Sequence, residues 1–171
     1  MRQVFTYAIL CHVNDLAAKS EPGTVAALEL MTRALVGLTL QSLQVLGAEV
    51  SLPQFRLLLV LSTLGRVPSS RLAAELGMTA SSVTRLADRL EAAGLAARGA
   101  DARNRSIVTL EVTTAGLDLV ARVVERRHEL LAAVLRKMDP AERAAAAHLG
   151  RRFAELADDA TALGVTGPLP L

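Results

Sequence analysis

Two short helical patterns joined at a single glycine constrain the fold of this chain more than any other feature of its sequence. Ser69 or Ser70 can cap the first helix, and Gly77 suits the left-handed backbone that ends it. Thr79 can cap the second helix, whose apolar residues recur at helical spacing until Gly94. Two short helices joined by so tight a turn predict a helix-turn-helix, in which the second helix enters the major groove of DNA. Many helical hairpins share this spacing without binding DNA, so the surrounding residues must decide.

The residues after the second helix predict a β-hairpin. Residues 95–98 are typical of a short strand, 99–106 of a loop rich in Arg, Asp and Asn, and 107–112 of a second strand. In the second strand, apolar and polar residues alternate with the period of two that indicates a half-buried strand. Arg103 and Arg105 lie at the tip, so we predict a basic wing beside the helix pair.

Four longer helices are predicted around this motif, at 24–47, 51–65, 113–138 and 139–164, where apolar residues recur at helical spacing. The expected capping residues are Ser51 with Gln54, Thr113 or Thr114, and Asp139 with Glu142. The composition agrees, because aromatic residues make up only 2% of the chain and its abundant Ala and Leu are strong helix formers. We therefore predict a mainly α fold with a small β-hairpin wing.

The second helix of the motif carries a polar, basic face opposite its apolar stripe. Arg85 lies on this face and is predicted to read bases, since a guanidinium can bind guanine O6 and N7 in a bidentate pair. Hydroxyls near the helix N-terminus can bind bases or phosphates, and wing arginines can enter a minor groove. The predicted DNA-binding residues are Ser81, Ser82, Thr84, Arg85, Arg89, Arg103 and Arg105.

The distribution of charge favours DNA contact over a merely solvated helix face. Residues 53–113 include eight arginines and five acidic residues, a net charge of +3, whereas the rest of the chain carries −1. Solvated polar faces are common, and the bare helix pattern would favour one. The basic wing reverses that preference, because a reading helix flanked by a second basic patch matches the division between base and phosphate contacts on duplex DNA.

Two acidic residues among these arginines need an explanation, since phosphate repels carboxylates. Asp88 is expected to orient Arg85 one turn away, although an i,i+3 pair on a solvated face has the same sequence. Asp101 is expected to shape the wing loop by pairing with Arg103 or Arg105. A surface ion pair contributing about 0 to 1 kcal/mol explains Asp101 equally well.

The segments QFRLLLVL, SSRLAAELGMTASSVTRLADRLEAAGL, DARNR and VTTAG lie between Leu52 and Gly116. Together they resemble the multiple antibiotic resistance regulator (MarR) family of winged-helix repressors. The resemblance implies that the first, fifth and sixth helices interlock with those of a second chain, that Arg105 is the family's wing arginine, and that a small lipophilic or aromatic acid is the effector. Asn104 stands where many relatives carry a second acidic residue, so a salt bridge sometimes made there is not expected.

The motif and the resemblance together predict a winged helix-turn-helix joined to a helical dimerisation region. The expected segments are an N-terminal extension at 1–23, a dimerisation helix at 24–50, the DNA-binding region at 51–113, dimerisation helices at 114–164 and a tail at 165–171. The predicted function is a cytoplasmic homodimer that binds a pseudo-palindromic operator in double-stranded DNA as a ligand-responsive repressor. An activator, or a winged-helix scaffold that binds protein instead of DNA, is the alternative.

Other classes of function find little support in the sequence. No nucleophile with a base, paired carboxylates, phosphate loop or metal-ligand spacing is evident, so no enzyme, cofactor or metal site is predicted. No uninterrupted apolar run approaches the roughly 20 residues of a membrane-spanning helix. Residues 1–13 faintly resemble a signal peptide, but a plain extension that is mobile or covers a partner helix fits better, and a misplaced start is also open. Cys11 is expected to be an inert thiol, and His128 could line a ligand crevice, although a packed or solvated histidine is commoner.

Overall fold

The computed structural model describes residues 22–101 and 104–161. The elements follow the chain as α1 (Pro22–Ser42), a 3-10 helix (Leu43–Leu46), α2 (Leu52–Leu64), β1 (Val67–Pro68), α3 (Ser69–Leu76), α4 (Ala80–Ala92), β2 (Ala96–Ala100), β3 (Val108–Val112), α5 (Thr114–Leu135) and α6 (Pro140–Thr161). The fold is mainly helical with a small antiparallel sheet, as predicted. The first 21 residues with Cys11, the wing residue Arg103 and the tail lie outside the described residues.

The chain divides into two compact units, and the described part of the first unit is the helix from residue 22 to Leu40. This helix exposes a set of large apolar side chains, Leu30, Met31, Leu35, Val36 and Leu40. The span Gly23–Leu46 is long and apolar enough to cross a membrane by length and composition alone, with a mean hydropathy of 1.3. This segment is not an uninterrupted apolar run, because Glu29 and Arg33 interrupt it.

The second unit begins at Gln41, and helix α2 lies at its centre. This helix packs against α3, α4, α5 and β3. It is buried on more than one side, because Phe55, Leu57, Leu58 and Leu61 are each at most 1% exposed. The core that surrounds it includes Leu72 of α3, Val83 and Leu90 of α4, Leu110 of β3 and Val123 of α5. The helix-turn-helix and the wing are thus built on one hydrophobic core.

Helix ends follow the local signals of the sequence at most positions. Gly77 ends α3 with a φ of 61° and a ψ of 34°, the left-handed conformation predicted for it. The Thr79 hydroxyl accepts a hydrogen bond from the Ser82 amide at 3.3 Å. Further confirmed caps are Ser51 with Gln54, Thr113, and Asp139 with Glu142. The predicted cap of α3 was wrong, because Pro68 holds the N-cap position without a side-chain bond and Ser69 already lies in the helix.

The sheet has three strands in the order β1-β3-β2, of which β3 is central. β2 and β3 form the predicted hairpin, with Ala96 opposite Val112 and Ala100 opposite Val108. β1 was missed, because its two residues look like a helix-breaking segment in sequence and form a strand only by pairing with β3. The predicted alternation in β3 is also imperfect, since Thr109 is buried whereas Val108 is 50% exposed. Thr109 pairs with Pro68 on one side and Gly99 on the other, which covers it.

Candidate nucleic-acid interface

Helix α4 has one face in the core and one face in solvent. Val83, Ala87 and Leu90 are fully buried, which fixes the rotation of the helix against α2 and α3. The side chains predicted from the opposite face are therefore presented outward. Ser81, Thr84, Arg85, Asp88 and Arg89 are exposed, and Ser82 is half-buried. The structure thus brings the predicted polar residues of α4 together on one surface.

The N-terminus of α4 carries a cluster of hydroxyls. Thr79 Oγ1 donates to Ser82 Oγ at 2.9 Å and lies 3.1 Å from Ser81 Oγ. Thr84 Oγ1 donates to the carbonyl of Ala80 at 3.0 Å, so its proton is engaged within the helix and its lone pairs remain as acceptors. Sequence reasoning treated Thr79 only as a cap, whereas its contacts with both serines also set the direction of their hydroxyls.

Most acidic side chains of the winged helix are engaged by an arginine. Arg66 binds Glu111 through Nε at 2.9 Å and Nη2 at 2.6 Å. This hydrogen bond lowers the pKa of Glu111 and raises the pKa of Arg66. Arg71 lies 3.9 Å from Glu75. These pairs neutralise two of the five carboxylates of the winged helix.

The ion pairs of Arg98 show that the prediction made for Asp88 was wrong. Its carboxylate accepts a hydrogen bond from Arg98 of β2 and not from Arg85. The same guanidinium reaches Glu91 at 3.3 Å. Arg98 was missed in the sequence because strand β2 approaches α4 only in the folded state. Two acidic residues three positions apart on one helix face were the available signal, since they indicate a cation from another element.

Four arginines of the winged helix have no ion pair with any described residue. They are Arg56, Arg85, Arg89 and Arg105, and all four are exposed. Three of them were predicted to bind DNA, and Arg56 of α2 was not. Arg103 lies outside the described residues, so its predicted position at the wing tip stays a prediction. The arginines thus divide into those that neutralise carboxylates and those that remain available for another anion.

The wing tip is shaped by short side chains that bind backbone amides. Asp101 Oδ1 accepts from the Asn104 amide at 3.1 Å, and Asn104 Oδ1 accepts from the Ser106 amide at 3.0 Å. The Asp101 amide also donates to the Ile107 carbonyl at 3.0 Å, which closes the loop. Asp101 and Asn104 therefore shape the loop by accepting from backbone amides, and the expected pairing of Asp101 with a wing arginine stays a prediction. Arg105 lies between these anchors and points into solvent.

The structure gives less support to a ligand site at His128 than to the surface of α4. His128 lies on an open surface of α5, and the residues that line this surface belong to this helix and to its C-cap, Arg136. The described chain alone therefore does not form the crevice between two elements that a ligand would need there. Among residues 22–101 and 104–161, no three His, Cys, Asp or Glu side chains are grouped to hold a metal ion.

A helix-turn-helix whose second helix exposes unpaired arginines beside a hairpin wing defines the winged-helix class of DNA-binding proteins. Comparisons with known proteins agree with this class. The model of the MarR family matches residues 49–105. An uncharacterized HTH-type transcriptional regulator, YfiV of Bacillus subtilis (strain 168), is 29% identical over 97 residues, which are 57% of this chain and 61% of that relative. The match thus spans about three-fifths of the length of that relative.

Solved structures extend the likeness beyond the matched segment. The crystal structure of RV1404 from Mycobacterium tuberculosis is 33% identical, with a TM-score of 0.72 over 80% of this chain and 94% of that one. A MarR family protein from Bacillus stearothermophilus is 26% identical, with a TM-score of 0.67 over 81% of this chain and 98% of that one. The chain belongs to the MarR family of winged-helix transcriptional regulators.

Proposed function

We propose that this protein is a homodimeric repressor that binds a specific pseudo-palindromic sequence in double-stranded DNA. The observation that carries the proposal is the division of the arginines. Arg66, Arg71 and Arg98 neutralise the nearby acids, while Arg85, Arg89 and Arg105 have no ion pair within the described chain. Unpaired, exposed guanidinium groups on a helix and its wing are suited to phosphates and guanine edges.

In this proposal, α4 enters the major groove and each outward side chain has a separate task. Arg85 reads guanine through a bidentate pair, and Arg89 contacts the backbone. The hydroxyls of Ser81, Ser82 and Thr84 bind bases or phosphates near the helix N-terminus, where the backbone amides also favour anions. Arg103 and Arg105 of the wing approach an adjacent minor groove, whose negative potential attracts arginine. Asp88 and Asp101 support these contacts without touching DNA.

A homodimer is supported by the apolar side chains that a single chain leaves in solvent. Leu35 and Leu40 of α1 and Leu149, Phe153 and Leu156 of α6 are each at least 42% exposed. Burial of one large apolar side chain contributes about 1.5 to 3 kcal/mol, so covering these helices with a second copy is strongly favourable. If a second chain covers α1, its apolar surface needs no membrane, which agrees with the proposed location in the cytoplasm. The proposed dimerisation segments remain 24–50 and 114–164.

Two-fold symmetry then sets the geometry of the complex. The two copies of α4 would lie about one DNA turn apart, roughly 34 to 36 Å, on a pseudo-palindromic site. Occupation of a promoter by this dimer would block polymerase. A small lipophilic or aromatic acid that prefers one spacing of the two reading helices would release or tighten the complex. The winged helix has no catalytic task in this scheme.

The test begins with selection of bound sequences from random duplexes, where we expect a palindrome. Arg85→Ala combined with Arg105→Ala should then weaken binding to the selected duplex at least about a hundredfold, since one arginine contact contributes about 1 to 3 kcal/mol. The matched control is Arg126→Ala with Arg152→Ala, which removes the same charge from α5 and α6, where both arginines are paired with glutamates.

The dependence on salt separates direct contact from loss of net charge. Binding by the wild type should weaken steeply as salt rises, and the α4 and wing variant should have a shallower slope than the control. Equal binding by the two variants would contradict the assigned site. A wild type that ignores every duplex at low salt would instead support the protein-binding scaffold. Sedimentation at several protein concentrations checks the dimer.

A further inference from the structure

Arg98 joins the wing to the DNA-facing helix through two ion pairs. Its Nη2 binds Asp88 Oδ1, and its Nη1 lies 3.3 Å from Glu91 Oε2. Asp88 and Glu91 are three residues apart on α4, so they lie on the same face of the helix. One planar guanidinium therefore spans two carboxylates with two separate nitrogens, which a point charge such as lysine cannot reproduce.

The strand that carries Arg98 is paired with the central strand β3 and is anchored in the core. Arg98 is opposite Leu110 of the central strand, and Leu110 is 1% exposed. Ala96 in the same strand is also buried. In the described part of the chain, every ion pair between α4 and the wing strands passes through Arg98. Arg98 thus adds a polar link between helix and hairpin to the apolar packing of Ala96 and Leu90 in the shared core.

The bridge also acts on charge at the proposed interface. Asp88 precedes Arg89 directly and lies three residues after Arg85, so an uncovered carboxylate there would repel the phosphates that these arginines attract. The side chains of Asp88 and Glu91 are 52% and 42% exposed, hence close enough to solvent for DNA to approach them. Removal of Arg98 would leave both negative charges uncovered.

We propose that Arg98 is a positioning residue for DNA binding, which screens Asp88 and Glu91 from phosphate and holds the wing against α4. The inference rests on the proposed function. It differs from a direct contact in one measurable respect. A positioning residue acts through the two carboxylates, so its importance must fall when they are neutralised, whereas an arginine that itself binds phosphate keeps its importance.

The test is a mutant cycle measured as affinity for the selected duplex. Arg98→Ala is made in the wild-type chain and in a chain that carries Asp88→Asn with Glu91→Gln. We expect Arg98→Ala to weaken binding at least about tenfold in the wild type and no more than about threefold in the neutralised chain. Circular dichroism and a cooperative unfolding transition confirm that each variant is folded. Arg98→Gln replaces Arg98→Ala in the cycle if the alanine variant does not fold.

Each result has one meaning. Equal losses of affinity in the two backgrounds would show that Arg98 contacts DNA itself. No loss of affinity in the wild type would show that the ion pairs of Arg98 do not affect DNA binding. Either result overturns the positioning role while leaving the proposed function intact. A wild-type protein that binds no duplex overturns the proposed function, and this inference with it.

Discussion

Gly116 is the position where the smallest substitution should do the most harm to the fold. It lies in the first turn of α5, where the helix crosses the end of the wing. A Cβ at this position would lie 2.2 Å from the Leu95 carbonyl oxygen and 2.7 Å from Val112 Cγ2. The Leu95 carbonyl cannot simply retreat, because it accepts a hydrogen bond from the Thr113 amide at 3.1 Å. Gly116→Ala must therefore move backbone and not only side chains.

The expected loss of stability follows from these contacts. Overpacking in a well-packed site costs about 1 to 3 kcal/mol. The shift also weakens two hydrogen bonds of Thr113, from its amide to the Leu95 carbonyl and from its Oγ1 to the Gly94 carbonyl at 2.7 Å. Each of these hydrogen bonds contributes about 0.5 to 1.5 kcal/mol to stability. Alanine returns about 0.5 to 1 kcal/mol because it restricts the unfolded chain and favours helix. The net loss should be about 1 to 5 kcal/mol.

Urea unfolding at one fixed protomer concentration measures this loss, since the stability of the proposed dimer would depend on concentration. The control is Gly150→Ala in α6, where an added Cβ meets no described atom within 4 Å. That substitution should stabilise the protein by about 0.5 to 1 kcal/mol. If Gly116→Ala loses less than about 1 kcal/mol, the close approach of α5 to the Leu95 carbonyl does not constrain this fold.

Two further predictions concern a helix cap and an ion pair. Thr79→Ala should lower the free energy of unfolding by about 1 kcal/mol because α4 loses its cap, whereas Thr84→Ala, within the helix, should not; equal losses in urea would contradict the capping role. The hydrogen bond from Arg66 lowers the pKa of Glu111 in the folded state, so the pair stabilises the fold above the ordinary carboxyl pKa and stops doing so as pH falls through the lowered value. The stability difference between wild type and Glu111→Gln should therefore shrink on acidification, and a constant difference would refute the assignment.

The sequence predicts the helices well because their signals are local. The Thr79 cap and the Asp139–Glu142 capping box each bind an amide three residues away, so residue type and spacing are sufficient. The outward face of α4 follows from the same reasoning, since Val83, Ala87 and Leu90 mark the inward face.

Partners that are distant in sequence could not be predicted in this way. Arg66 and Glu111 are 45 residues apart, and Arg98 meets Asp88 only after the wing folds back on α4. β1 is a strand only because β3 lies beside it. No periodic pattern records such pairings, which is why Asp88 was assigned to Arg85, one turn away on its own helix.

The central place of β3 has a consequence for which part of the wing tolerates change. A two-stranded hairpin alone is marginally stable in water. Here β1 pairs with Thr109 and Leu110 of β3, and the helical core packs against the part of the hairpin away from its tip. Ser106 and Ile107, beyond the paired region, are exposed. Substitutions of these two side chains should therefore leave the scaffold intact, so the tip can change its chemistry without loss of the fold.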